Sequence, residues 1–172
     1  MAFAYPIAPL SLPLWRMLQI RYQRDPLSGE GAKLHGGRWN RVGQPALYLA
    51  RDPATAVAEF YQGLPKPGTL APYQLEAKAI ADFTDGHGGP RDAAVAAALE
   101  AEWKRIAFLD EETPPSWTLA DAAIAAGAEG ALAPSVQNAG GVTLVLWHWH
   151  AAGQDGDGAE LALIDPMAAL GE

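Results

Sequence analysis

Apolar and polar positions alternate through Leu14-Trp15-Arg16-Met17-Leu18-Gln19-Ile20-Arg21, the period of two expected of a strand, with Arg16 facing away from Trp15 and Met17. Tyr22 to Gly43 breaks the pattern, with glycine at 29, 31, 36, 37 and 43. It is too glycine-rich for regular structure and longer than an idle connection should be. Ala46 to Ala50 reads as a short buried strand. Asp52-Pro53 then opens a helix, because aspartate caps the first turn and proline there lacks only an N–H that would be unpaired anyway. That helix runs to about Gln62 and stops before Gly63 and Pro65.

Pro72 to Ile80 reads as a strand, Gly86 to Pro90 as a loop, and Arg91 to Phe108 as one alanine-rich helix. A further helix is predicted over Ser116 to Ala126, ended by Gly127, then a short strand over Ala131 to Ser135 and a loop over Val136 to Gly141. Val142 to His150 is the clearest strand of the chain. A turn over Gly153 to Gly158, a strand over Glu160 to Ile164 and a helical turn over Pro166 to Leu170 complete the pattern. Strands and helices mix without βαβ alternation, which predicts an α+β fold rather than a doubly wound sheet.

Composition bounds this picture. The 172 residues predict one domain. There are 35 Ala, whereas Leu, Ile, Val and Phe together number 36. Six Trp and five Tyr enlarge that modest aliphatic supply. The net charge of −8 argues against a nucleic-acid binder, which needs a basic footprint. The charge is uneven: residues 1–60 carry seven Lys/Arg against four acids, and residues 61–172 carry five against sixteen. The first third is therefore the place to expect an anionic ligand. The chain contains no cysteine, which excludes disulfides, thiolate nucleophiles and cysteine-bound zinc. No basic n-region precedes Pro6, Pro9 and Pro13, and no apolar run is long enough to span a bilayer, so the expected compartment is the cytoplasm.

Two places carry candidate chemistry. Gly36-Gly37-Arg38-Trp39-Asn40 joins paired glycines, which permit close backbone approach, to an arginine whose rigid fork suits phosphate or carboxylate. Its plainer reading is a tight turn with a surface arginine. Glu59 lies among alanines on the helix after Asp52, on one face with Thr55, either as the polar side of that helix or as a functional charge. Other patterns lack support. His148 and His150 have no third ligand nearby, so no metal is expected. Gly29-x-Gly31 lacks its third glycine, and Asp155 to Gly158 is a turn, not a calcium loop.

Read together and in order, these segments resemble the RES-domain family, named for an Arg, a Glu and a Ser. The matching residues are Arg21-Tyr22, Asp25 to Ala32, Leu34 to Asn40, Ala46 to Ala50, Asp52 to Glu59, Pro134-Ser135, Leu144 to Trp147 and Ile164 to Pro166, so the resemblance covers about residues 14–166. It departs at Thr143, where asparagine is expected, and at Val136-Gln137-Asn138, where an aromatic is common. The resemblance implies a mixed β core like that of the ADP-ribosyltransferases with flanking helices, NAD⁺ as substrate, and a toxin neutralised by an Xre-type antitoxin that covers the active site. Carried over by position, Arg38, Glu59 and Ser135 form the name-giving triad. Tyr48 is the family's aromatic and Arg16 its first-strand arginine, and Thr55, Trp39 and Asn40 are counted with the residues that hold NAD⁺.

That chemistry suits the residue types. Arginine chelates pyrophosphate, tyrosine stacks on the nicotinamide ring, and a carboxylate stabilises the positive charge that develops on the ribose as the nicotinamide bond breaks. The acceptor stays open: water, inorganic phosphate, or a side chain of a protein target. A non-enzymatic nucleotide- or protein-binding module is the competing expectation.

Overall fold

A computed structural model describes residues 2–171. All seven strands belong to one mixed sheet: β1 (Ile7–Leu18), β2 (Leu47–Ala50), β3 (Thr69–Asp82), β4 (Gly130–Pro134), β5 (Val142–Leu146), β6 (Trp149–Ala151) and β7 (Ala159–Leu163). The strand order is β1-β2-β5-β4-β3-β7-β6, and β1 also pairs with β3, which closes the first five strands on themselves. The β3–β4 and β6–β7 pairs are parallel and the others antiparallel. Five α-helices among the described residues flank the sheet: α1 (Glu30–His35), α2 (Pro53–Tyr61), α3 (Ala93–Glu100), α4 (Trp103–Phe108) and α5 (Pro115–Ala125). This is the α+β architecture the pattern predicts.

Alternation along the strands divides the apolar residues into two clusters. Leu47, Leu49, Leu144 and Leu146 point with Leu14, Leu18, Tyr73 and Leu75 into one. Ala46, Val145, Trp147, Ala131 and Ala133 point into the other, which is roofed by Val95 and Ala98 of α3 and by Ala120 and Ala123 of α5. This second cluster buries eight alanines against three in the first, and small side chains let the helices lie close to the sheet.

Four elements differ from the sequence pattern. β1 begins at Ile7, since its prolines lie in a strand bonded along β3, and it gives way to a 3₁₀ turn at Ile20–Tyr22. The glycine-rich segment contains the short helix α1. The long helix expected over 91–108 is two helices. α3 ends at Glu100, and the backbone of the next residue, Ala101, turns extended (φ −64°, ψ 138°). The carbonyl of Ala98, which in an unbroken helix would accept from residue 102, accepts instead from Arg38. The strand expected over 142–150 breaks at Trp147-His148, because both of their N–H groups donate to the single carbonyl of Glu129.

Candidate functional site

Asp52 caps α2 as its position predicts: Oδ1 accepts the Thr55 N–H at 2.8 Å. Its second oxygen accepts the Thr55 hydroxyl at 2.7 Å. Thr55 is fully buried, and its Oγ1 accepts the side-chain amide of Asn138 at 2.9 Å. Asn138 in turn donates its backbone N–H to Ser135 Oγ at 3.0 Å. One turn along α2 from Thr55, Glu59 receives the Ser135 hydroxyl on Oε1 at 2.5 Å. Because the Asn138 N–H occupies Ser135 Oγ as an acceptor, the one hydroxyl hydrogen of Ser135 is directed at the carboxylate. Two carboxylates, Asp52 and Glu59, are thus joined through Thr55, Asn138 and Ser135.

The loop 136–141 that makes this possible closes with Gly141 N–H on the Asn138 carbonyl and Ser135 N–H on the Gly141 carbonyl. A side chain at Gly141 would run into Thr55 Oγ1 and Asn138, so the loop lies directly on α2.

Arg38 lies on the same side as Tyr48 and is fixed by a helix end. Its Nη1 donates to the carbonyls of Ala98 at 2.9 Å and Ala101 at 3.0 Å, where the negative end of α3 favours a cation. Burial lowers the Arg38 pKa from its ordinary value, and the neighbouring Glu59 carboxylate opposes that shift. The Tyr48 hydroxyl donates to Asn40 Oδ1 at 2.7 Å and accepts the Trp39 N–H at 3.0 Å. Burial pushes its pKa up, against the pull of the Trp39 N–H and the Arg38 charge. The paired glycines serve as expected: Gly36 has φ +73°, and any side chain at Gly37 would strike Asn40 and the Tyr48 hydroxyl.

Glu59, Ser135 and Thr55 are therefore joined in one hydrogen-bonded network, and Arg38 and Tyr48 lie within electrostatic reach of Glu59. Trp39 and Asn40, expected to hold a ligand, support the site from behind. Trp39 is 3% exposed and stacks on Phe83. Asn40 is 1% exposed, and its amide group donates to the carbonyls of Ala32, Arg41 and Gln44. Arg16 is not brought to the cluster. Trp15 pairs with Ala50, which puts Trp15 on the Tyr48 face of the sheet and Arg16 on the other. There Arg16 donates to the Pro26 carbonyl at 3.2 Å, beside Tyr73, whose hydroxyl donates to the same oxygen. Burial lowers the Arg16 pKa, opposed by Tyr73 and Asp25.

Asn138 is the participant the sequence reading missed, and Asp52 was read only as a cap. The turn has a signal in Ser135, whose hydroxyl can accept a backbone N–H a few residues on, whereas nothing local marks the Asn138 side chain, whose partner Thr55 is 83 residues away.

His150 Nε2 lies 4.0 Å from Glu160 at the sheet edge. Among the described residues no group of three or more His, Asp or Glu side chains is arranged to hold a metal. No helix among them is long and apolar enough to cross a membrane.

Comparison with known proteins gives the site its context. The RES domain family profile matches residues 13–163. A protein named Toxin Res from Photorhabdus laumondii is 46% identical over 46 residues, 27% of this chain and 30% of that one. A Prs ADP-ribosylating toxin from Sphingobium sp. is 53% identical over 38 residues, 22% of this chain and 24% of that one. The NAD(+) phosphorylase MbcT of Mycobacterium tuberculosis is 40% identical over 67 residues, 37% of this chain and 36% of that one. These alignments span well under half the length of each curated relative. The crystal structure of the M. tuberculosis MbcT-MbcA toxin-antitoxin complex superposes with a TM-score of 0.53 at 26% identity, covering 81% of this chain and 75% of that one. The mixed β core with flanking helices is thus of the ADP-ribosyltransferase-like kind.

Proposed function

Because the chain belongs to the RES-domain family, we propose that it is the toxin of a toxin–antitoxin pair, an enzyme that breaks the nicotinamide–ribose bond of NAD⁺ and so depletes the cell of it. The observation that carries this reading is Glu59, held by the Ser135 hydroxyl within electrostatic reach of Arg38.

In the reaction, nicotinamide leaves C1′ of the ribose with the bonding electron pair, and its ring becomes neutral. Positive charge develops on C1′ and the ring oxygen. The Glu59 carboxylate is the group placed to stabilise that charge, and in a partly buried site water screens its effect less than at the surface. Ser135 fixes the carboxylate through Oε1, which leaves Oε2 for the ribose. Arg38 offers its remaining N–H groups to a phosphate oxygen or ribose hydroxyl. The ring of Tyr48, its hydroxyl anchored by Asn40 and Trp39, is a platform for the nicotinamide. An acceptor O–H then adds to C1′ and gives up its proton.

Water or inorganic phosphate is the acceptor in this reading, and the similarity to MbcT, named an NAD(+) phosphorylase, supports phosphate. A second reading, transfer of ADP-ribose to a protein target, is supported by the similarity to the Sphingobium ADP-ribosylating toxin. An antitoxin of the Xre type is proposed as the partner that covers the site, and the match to a toxin–antitoxin complex supports an antitoxin. The protein is proposed to act as a single domain in the cytoplasm.

Mass spectrometry of the products from NAD⁺, with and without phosphate and cell extract, tests this directly. Nicotinamide appears in every productive case. ADP-ribose marks hydrolysis, ADP-ribose 1″-phosphate marks phosphorolysis, and a modified extract protein marks transfer. Saturable NAD⁺ binding without nicotinamide would make the protein a binding module.

A further inference from the structure

Beside Arg38 lies a cleft of about 430 Å³ whose other walls are Glu102, Trp103, Lys104 and Arg105. We propose that this cleft is the subsite for the adenosine diphosphate half of the dinucleotide, with Trp103 the platform for the base and Lys104 and Arg38 the cations for the phosphates. The assignment rests on the reading of NAD⁺ as substrate.

The cleft is built onto the candidate catalytic cluster. The turn from α3 to α4 is tied by the Ala98 and Ala101 carbonyls to the same guanidinium that neighbours Glu59. Trp103 is only partly buried, and its ring is backed by Phe108 and Trp117 at centroid distances of 6.1 and 6.3 Å. Trp117 donates its indole N–H to the Gly37 carbonyl at 2.7 Å, so the aromatic platform is clamped to the glycine–arginine block. The indole N–H of Trp103 has no protein acceptor among the described residues and is free for a ligand.

Charge points the same way. Residues 61–172 hold five Lys/Arg against sixteen acids, yet two of the five are adjacent here. Arg105 is engaged by Glu102 at 3.6 Å and Asp110 at 4.0 Å. Lys104 has no acidic partner within 4.0 Å among the described residues, and its Nζ lies 5.7 Å from the centre of the Trp103 ring. A flat aromatic ring lining one cleft with an unpaired lysine and an arginine that commits only Nη1 matches a base linked to a diphosphate, since bases stack on aromatic rings and phosphates take arginine and lysine. Inorganic phosphate alone would have no use for the ring.

Calorimetry with ADP on the full chain, its W103A, W103F and K104E variants, and turnover of NAD⁺ and nicotinamide mononucleotide test the subsite. ADP is expected to bind W103A and K104E about tenfold more weakly than the unaltered protein, and W103F nearly normally. The same two variants should raise the KM for NAD⁺ about tenfold with kcat unchanged. Nicotinamide mononucleotide lacks the adenylate half, so its turnover should be indifferent to W103A. Failure of the unaltered protein to bind ADP overturns the subsite, as does ADP binding unchanged by both W103A and K104E, or loss of mononucleotide turnover in a folded W103A. If ADP binding depends on Trp103 but NAD⁺ releases no nicotinamide, the subsite stands and the catalytic reading falls.

Discussion

Ser135 gives its only hydroxyl hydrogen to Glu59 Oε1 at 2.5 Å, a contact between residues 76 apart in the chain. The serine directly follows β4 of the sheet core, and the glutamate lies near the end of α2. The direction of the bond is set by the Asn138 N–H, which occupies Ser135 Oγ as acceptor.

Glu59→Gln keeps an oxygen for Ser135 and removes the charge. Nicotinamide release should fall by about a hundredfold or more while the fold is retained. Following NAD⁺ by NMR, with circular dichroism as the folding control, checks this. Undiminished turnover in a folded variant would exclude Glu59 as the charge-stabilising group. Ser135→Ala leaves the charge but frees the carboxylate, so kcat should drop by about tenfold, with the KM for NAD⁺ little altered.

Arg38→Ala should act on two properties at once. Loss of a charge-assisted contact weakens NAD⁺ binding by about 1.5–3 kcal/mol, read by calorimetry. The Ala98 and Ala101 carbonyls also lose their donor, so the melting temperature should fall as well. Arg38→Lys, which lacks the planar fork, should recover the stability better than the affinity. Unchanged affinity in Arg38→Ala would leave this residue a structural role only.

Thr55→Val removes a hydroxyl with almost no change of shape. It leaves Asp52 Oδ2 and the Asn138 amide, both half-buried, each without that partner, at a cost of about 1 kcal/mol. Amide exchange should quicken over residues 136–141 and kcat should fall, because the loop that directs Ser135 is released. Thr55→Ser keeps the hydroxyl and should restore both. Chemical denaturation, hydrogen exchange and turnover together separate this from a general loss of stability.

Asp92 supplies an acid-dependent part of the stability. Its carboxylate caps α3 by accepting the Val95 N–H at 2.9 Å and also accepts the Tyr5 hydroxyl at 2.8 Å. The Val95 N–H is the main cause holding its pKa below the ordinary value, with Tyr5 assisting. A lowered carboxylate pKa stabilises the fold above the unfolded value of about 3.9 and loses that contribution as the pH falls through the folded value. Asp92→Asn should therefore unfold more easily than the unaltered protein at pH 7, and the gap should close below about pH 4. A gap that stays constant across that range would show that the charge of Asp92 contributes nothing. On the alkaline side the same pair pushes the Tyr5 hydroxyl up to about 12, with burial the main cause.

Much of the site was legible before any coordinates. The cap at Asp52, the glycines ahead of Arg38 and the shared helical face of Thr55 and Glu59 are local features, and each is present in the structure. The resemblance supplied Ser135 and Tyr48 as candidates. Asn138 escaped notice because its importance comes from what it touches across the loop, not from its neighbours in the chain. Trp39 and Asn40 sit in the block that carries Arg38, yet their side chains turn inward, Trp39 onto the distant Phe83 and Asn40 onto Tyr48 and the carbonyls of Ala32, Arg41 and Gln44 on either side of the motif.

The period of the apolar residues, the prolines and glycines, and the capping aspartates determined where most elements form, because each acts through atoms a few residues apart. What only the tertiary structure decided is where those elements are interrupted and which side chains meet. The alanine-rich stretch over 91–108 has helical propensity throughout, yet it divides because Arg38 takes the Ala98 and Ala101 carbonyls. The strand after Val142 divides because Trp147 and His148 share the Glu129 carbonyl. In the first case a side chain far away in the chain takes carbonyls of the helix end, in the second the residue before β4 takes two successive N–H groups, and local sequence carries no record of either partner.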